Sequence, residues 1–111
     1  DQASMFILGL EMTEWGASTT QLTAYRDAVR RVYSGAIGTH HNSGRLDYAG
    51  LGDVLMYQPG TGKSASQIRD ITRDVIRRTG LPVWMFEMER QPARGLCEAA
   101  LDAGAAGVGN W

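Results

Sequence analysis

The chain has little of what metal and redox centres are made from. It holds one cysteine, Cys97, and two histidines, His40 and His41. A lone cysteine excludes an internal disulfide and any cysteine-based zinc cluster. An excess of one charge is also missing. The 11 basic and 12 acidic residues leave a net charge of −1, which gives no reason to expect nucleic acid as a partner. No apolar run approaches the roughly 20 residues that a membrane-spanning helix needs, so no membrane partner is expected. Internal repeats, low-complexity tracts, linkers and a signal-peptide pattern are not visible either. Residues 1–111 therefore read as one unit, and the compartment stays unknown. An apolar run starts at Met5, almost at once after Asp1, which suggests a chain entered in mid-domain.

What is present is an alternation of apolar runs and amphipathic stretches. Met5–Leu10 is a continuous apolar run, as expected for a strand buried on both faces. Thr20–Tyr33 follows with Leu22, Tyr25, Val29 and Val32 at three- and four-residue steps, an amphipathic helix. Ala36–Thr39 is a second short strand, and the glycine-rich Ser43–Gly52 reads as loop with one possible helical turn. Asp53–Tyr57 is a third strand. A helix capped by Ser64 or Ser66 runs to Thr79, with Ile68, Ile71, Val75 and Ile76 inward and Gly80 as its stop. Pro82–Met88 is a fourth strand, Pro92–Ala103 a helix, and Ala105–Val108 a fifth strand. This order predicts an α/β fold with a parallel sheet and outer helices.

Parallel α/β folds carry their chemistry at the C-terminal ends of the strands. Here those ends hold Glu11, Glu14 and Trp15, then His40, His41 and Asn42, then Tyr57 and Gln58, then Glu87 and Glu89, then Asn110 and Trp111. Two carboxylates across a cleft can hydrolyse a glycosidic bond, one as proton donor and the other as nucleophile or base. Trp15, Tyr57 and Trp111 suit the apolar faces of sugars. Against this, an acidic residue just past a strand is often a helix cap or a solvated charge. Glu87 fits that description least, because the apolar Trp84-Met85-Phe86 precedes it and a charge there is costly unless paired or used. Glu11 is equally readable as a structural partner for Arg90 or Arg45. The adjacent histidines should point in opposite directions, one to the site and one to loop packing. Cys97 reads as a buried, inert thiol.

These residues together resemble the clan of (βα)8-barrel glycoside hydrolases with an acid/base glutamate after strand four and a nucleophilic glutamate after strand seven. Phe6–Trp15 is similar to the clan's fourth strand, with Thr13-Glu14 on the usual Asn-Glu positions. Ile37–Asn42 resembles the fifth strand and Asp53–Gln58 the sixth. Leu81–Glu89 resembles the seventh, ending in Glu87, and Ala103–Trp111 the eighth, ending in a sugar-stacking tryptophan. The resemblance implies the C-terminal half, about strands four to eight, of a TIM barrel. A complete barrel needs roughly 200 to 250 residues. It implies retaining hydrolysis, with Glu14 as acid/base and Glu87 as nucleophile. Trp15, His40, His41, Tyr57, Gln58, Glu11, Glu89 and Trp111 would bind the carbohydrate substrate. Glu11 competes with Glu14, and Glu89 with Glu87. No metal or organic cofactor is implied. A half-barrel would meet its missing N-terminal half or self-associate through open edges, and would be inactive or nearly so alone.

Two other readings stand beside this one. Thr13, where the clan has asparagine, favours a glycan-binding or structural barrel without catalysis. Pro59–Ser64 reads PGTGKS and resembles a P-loop between a strand and a helix. The first glycine of the full pattern would fall on Tyr57, however, and a tyrosine obstructs that tight turn.

Overall fold

The computed structural model describes residues 5–42, 45–89 and 94–109. Asn110, Trp111 and Arg90, which carried a stacking role and a possible ion pair, lie outside them. Five strands form one parallel sheet: β1 Phe6–Ile7, β2 Ile37–Asn42, β3 Val54–Gln58, β4 Val83–Met85 and β5 Gly107–Val108, paired in that order. The helices are α1 Thr19–Arg30, α2 Ala65–Thr79 and α3 Arg94–Asp102. A short 3-10 turn, Ala49–Leu51, lies between β2 and β3 in place of a helix. The expected α/β fold with a parallel sheet is therefore present.

Ser18 and Ser64 start α1 and α2 with complete capping boxes, each exchanging bonds with a glutamine three residues on. Gly80 ends α2 in the left-handed conformation. Strand β2 runs three residues further than the sequence suggests and takes His40, His41 and Asn42 into the ladder. Gly52 is where the following loop crosses β2. A Cβ there would meet the Ile37 carbonyl oxygen at 2.9 Å.

Every connection advances one strand in the same direction. Because parallel crossovers are right-handed, the helices collect on one face of the sheet. The core agrees. Leu55 and Tyr57 of β3 and Val83 and Met85 of β4 pack with Ile68 and Val75 of α2 and with Ala99 and Ala100 of α3. Register partners share a face, so Thr39 and His41, opposite Leu55 and Tyr57, also lie on the helix side. The other face carries Gly38, His40 and Asn42 of β2, Val54, Met56 and Gln58 of β3, and Trp84 of β4. Among the described residues no helix covers that face, although Gly38, His40 and Met56 on it are buried.

The sheet ends in two short edge strands. Beside β1, helix α1 buries Leu22, but Tyr25 is half exposed, and Val32, just beyond the helix, is 87% exposed. The expected apolar stripe is thus only partly covered, because among the described residues α1 has no neighbouring helix on its β1 flank. There Phe6, Leu8, Met12, Tyr25, Ala28 and Val29 line an apolar cavity of about 320 Å3. Cys97 is partly buried against the core rather than fully enclosed.

Candidate active site

Alternation along β2 separates the histidines, as two neighbours in an extended strand must be. His40, on the uncovered face, accepts the Glu11 N–H at Nδ1 over 3.0 Å. Its proton therefore sits on Nε2. Phe86 meets the ring edge-on at a centroid distance of 5.0 Å. Burial holds the His40 pKa below the usual value, against the opposing pull of Glu11. His41 takes the other tautomer. Its Nδ1 donates to the Arg45 carbonyl at 3.0 Å, its Nε2 faces the Thr39 hydroxyl at 2.8 Å, and the ring stacks on Tyr48 at 4.0 Å. Burial lowers its pKa to about 4. His41 is thus loop packing on the helix side, away from the face that carries His40.

Among the described residues, two other than glycine have positive φ, Glu11 and Glu87, both at 51°. Each follows a strand end. After β1, Leu8 makes the last ladder bond, to the Gly38 carbonyl, and the chain turns at Gly9 into Glu11. After β4, Phe86 donates to the Tyr57 carbonyl, and Glu87 then breaks the alternation. Continued extended, Glu87 would face the helices. The left-handed turn lets Met88 fill that core position, fully buried, and releases the carboxylate. For a β-carbon residue this conformation costs roughly 1–2 kcal/mol, and such strain gathers at functional sites. Burial and then the charge of Glu11 raise the Glu87 pKa. Glu11 is thus the charge that acts on Glu87. Through its ring, His40 touches both turns, the Glu11 amide on one side and Phe86 on the other.

Glu14 belongs to the turn that Glu11 begins, since its N–H donates to the Glu11 carbonyl at 2.9 Å, and it is exposed. The carboxylate whose charge raises the Glu87 pKa is that of Glu11. Trp15 is 83% exposed beyond that turn. Tyr57 needs a correction as a sugar-facing residue. It is 6% exposed and packs in the core between sheet and helices, because its register partner is Met85 and not Trp84. Gln58, on the uncovered face, has a buried Oε1 with no partner, and so has Asn42 at Oδ1. Glu89 accepts the Gly62 N–H at 3.2 Å and thereby ties the β3–α2 loop to the end of β4.

That last bond bears on the P-loop resemblance. The Gly62 N–H faces a carboxylate, and the Ser64 and Gln67 N–H groups are taken by the capping box. These three donors are taken internally, which disfavours phosphate there. Among the described residues, no group of three or more His, Cys, Asp or Glu side chains could hold a metal ion, and no helix is long and apolar enough to cross a membrane.

Several contributors escape sequence reasoning. Tyr48, inside the glycine-rich loop, stacks on His41 and donates its hydroxyl to the His40 carbonyl. Thr13 also faces that hydroxyl and lowers the Tyr48 pKa against the larger effect of burial. Trp84 lies flat over Gly107 on the uncovered face, where a Cβ would meet the indole at 2.9 Å, and it stays 37% exposed. Only the register distinguishes Trp84 from its buried neighbours. Comparison of the chain with protein-family models and with curated proteins finds no match in either.

Proposed function

We propose that this chain carries the catalytic face of a retaining glycoside hydrolase of (βα)8-barrel type, representing about strands four to eight. The observation that carries the reading is the pair Glu11 and Glu87, two interacting carboxylates held in left-handed turns at the C-terminal ends of parallel strands. The one-directional strand order with helices on a single face is the winding a barrel uses, where a doubly wound sheet would reverse. Trp84 offers an exposed indole on the same face for a sugar ring.

In this reading Glu87 attacks the anomeric carbon, and the second carboxyl, Glu11 in place of Glu14, protonates the leaving oxygen. A nucleophile must be ionised, whereas burial and Glu11 hold Glu87 toward its protonated form. A donor or cation from whatever completes the cleft must offset this, so the chain alone would turn over poorly. The completing partner would add a parallel strand at the β1 edge and a helix over the apolar cavity of Phe6, Met12 and Tyr25. A barrel that binds glycans without cleaving them is favoured by one observation. Thr13, at the position of the clan's asparagine, already engages the Tyr48 hydroxyl.

The test is an NMR-monitored titration of the chain with cello-, xylo- and mannotetraose. Binding of one of them, with shifts at Trp84 and His40, is the expected result. No binding across the series, or shifts confined to the opposite face, contradicts the glycan reading.

A further inference from the structure

Asn42 and Gln58 end adjacent strands as register partners and share the face of His40 and Trp84. Each has a side-chain carbonyl oxygen that is buried and accepts no hydrogen bond. Such groups are rare in folded proteins, because a lost water bond has not been replaced. Two of them side by side, on strands roughly 4.8 Å apart, form a matched set of acceptors. In strand order they lie between Glu11, after β1, and Glu87, after β4. Both residues are only half-buried, and a terminal amide torsion is soft. A small rotation would therefore bring either oxygen to the uncovered face.

We infer that Asn42 and Gln58 form a polyol subsite that accepts hydrogen bonds from two neighbouring hydroxyls of one sugar ring, held between the two carboxylates. Neutral acceptors suit neutral O–H donors, and hydroxyl pairs are what a pyranose presents at that spacing. Both amides lie on strands that the pairing holds in register, so the subsite is rigid at its base. Specificity would follow from it. A ring lacking one of the two hydroxyls would leave an acceptor unpaired and bind about tenfold more weakly. The inference rests on the glycan reading for its ligand but not for its geometry.

The experiment compares the whole chain with Asn42→Leu and Gln58→Met, near-isosteric changes that delete the acceptors. Thermal unfolding comes first. Removing an orphaned acceptor should leave the melting temperature unchanged or raise it by a few degrees. A fall of several degrees means that the amides are structural anchors and overturns the inference. The second measurement titrates each protein with whichever of cello-, xylo- or mannotetraose binds the parent, following side-chain amide resonances. Shifts of both amides, with about tenfold weaker binding in each variant, support the subsite. Equal affinity in parent and variants overturns the subsite and leaves the glycan reading intact. Failure of the parent to bind any tetraose overturns that reading and the subsite's ligand with it. Amide shifts on adding calcium chloride alone would mark a cation site instead and overturn the inference.

Discussion

On acidification from pH 6.5 to about 4, the protein should lose on the order of 3 kcal/mol of stability through His41 alone. The sign follows from burial. His41 is fully enclosed, and its folded pKa lies below the unfolded value. The unfolded state binds the proton first as pH falls. Stability is therefore complete above the unfolded value and drains away as pH drops toward the folded one. His40, also lowered by burial, acts in the same direction. Urea unfolding at pH 7.5, 5.5 and 4.5 reads this directly. In His41→Asn the pH slope should flatten although the protein starts weaker, since Thr39, Arg45 and Tyr48 lose a partner. A parent protein equally stable across this range would contradict the buried, neutral assignment.

Replacing the two strained glutamates with glycine should stabilise the fold. Each of Glu11→Gly and Glu87→Gly relieves a left-handed φ, for a net gain of about 1 kcal/mol after glycine's entropy cost. Glu87→Gly gains more at neutral pH. With a raised folded pKa, Glu87 contributes its stability below the unfolded value and loses it as pH rises through the folded one. Ionised Glu87 is thus a liability that glycine removes. Alanine separates the causes, because it deletes the carboxylate and keeps the strain. The expected order of melting temperatures at pH 7 is Glu87→Gly above Glu87→Ala above parent. A protein that keeps two strained, interacting carboxylates at a stability cost fits the trade-off expected of an active site. If both glycine variants melt below the parent, the turns are not strained, and that argument for function goes with them.

The sequence shows the alternation of strands and helices because long apolar runs and capped amphipathic stretches are strong local signals. It also shows which residues end the strands. It does not show which face each one serves. Val54–Gln58 and Val83–Met85 are apolar on both faces, so nothing in the pattern separates Tyr57, in the core, from Met56 and Gln58 beside it. Strand pairing decides this, and pairing is a tertiary property. The histidines were separable only because they are adjacent. The choice between Glu11 and Glu14 depends on a positive φ at a residue type that seldom adopts one, which no propensity foretells. Likewise, Tyr48 acts through a bond to a backbone carbonyl eight residues back in the chain.

The proposed function rests on Glu87 and Glu11 acting on each other. The most direct measurement is the carbon-13 NMR titration of the Glu87 carboxyl in the parent, in Glu11→Gln and in Glu14→Gln. Glu87 should titrate above the ordinary glutamate value in the parent, lower in Glu11→Gln, and unchanged from the parent in Glu14→Gln. A Glu87 that titrates normally, or that responds to Glu14 and not to Glu11, would contradict it.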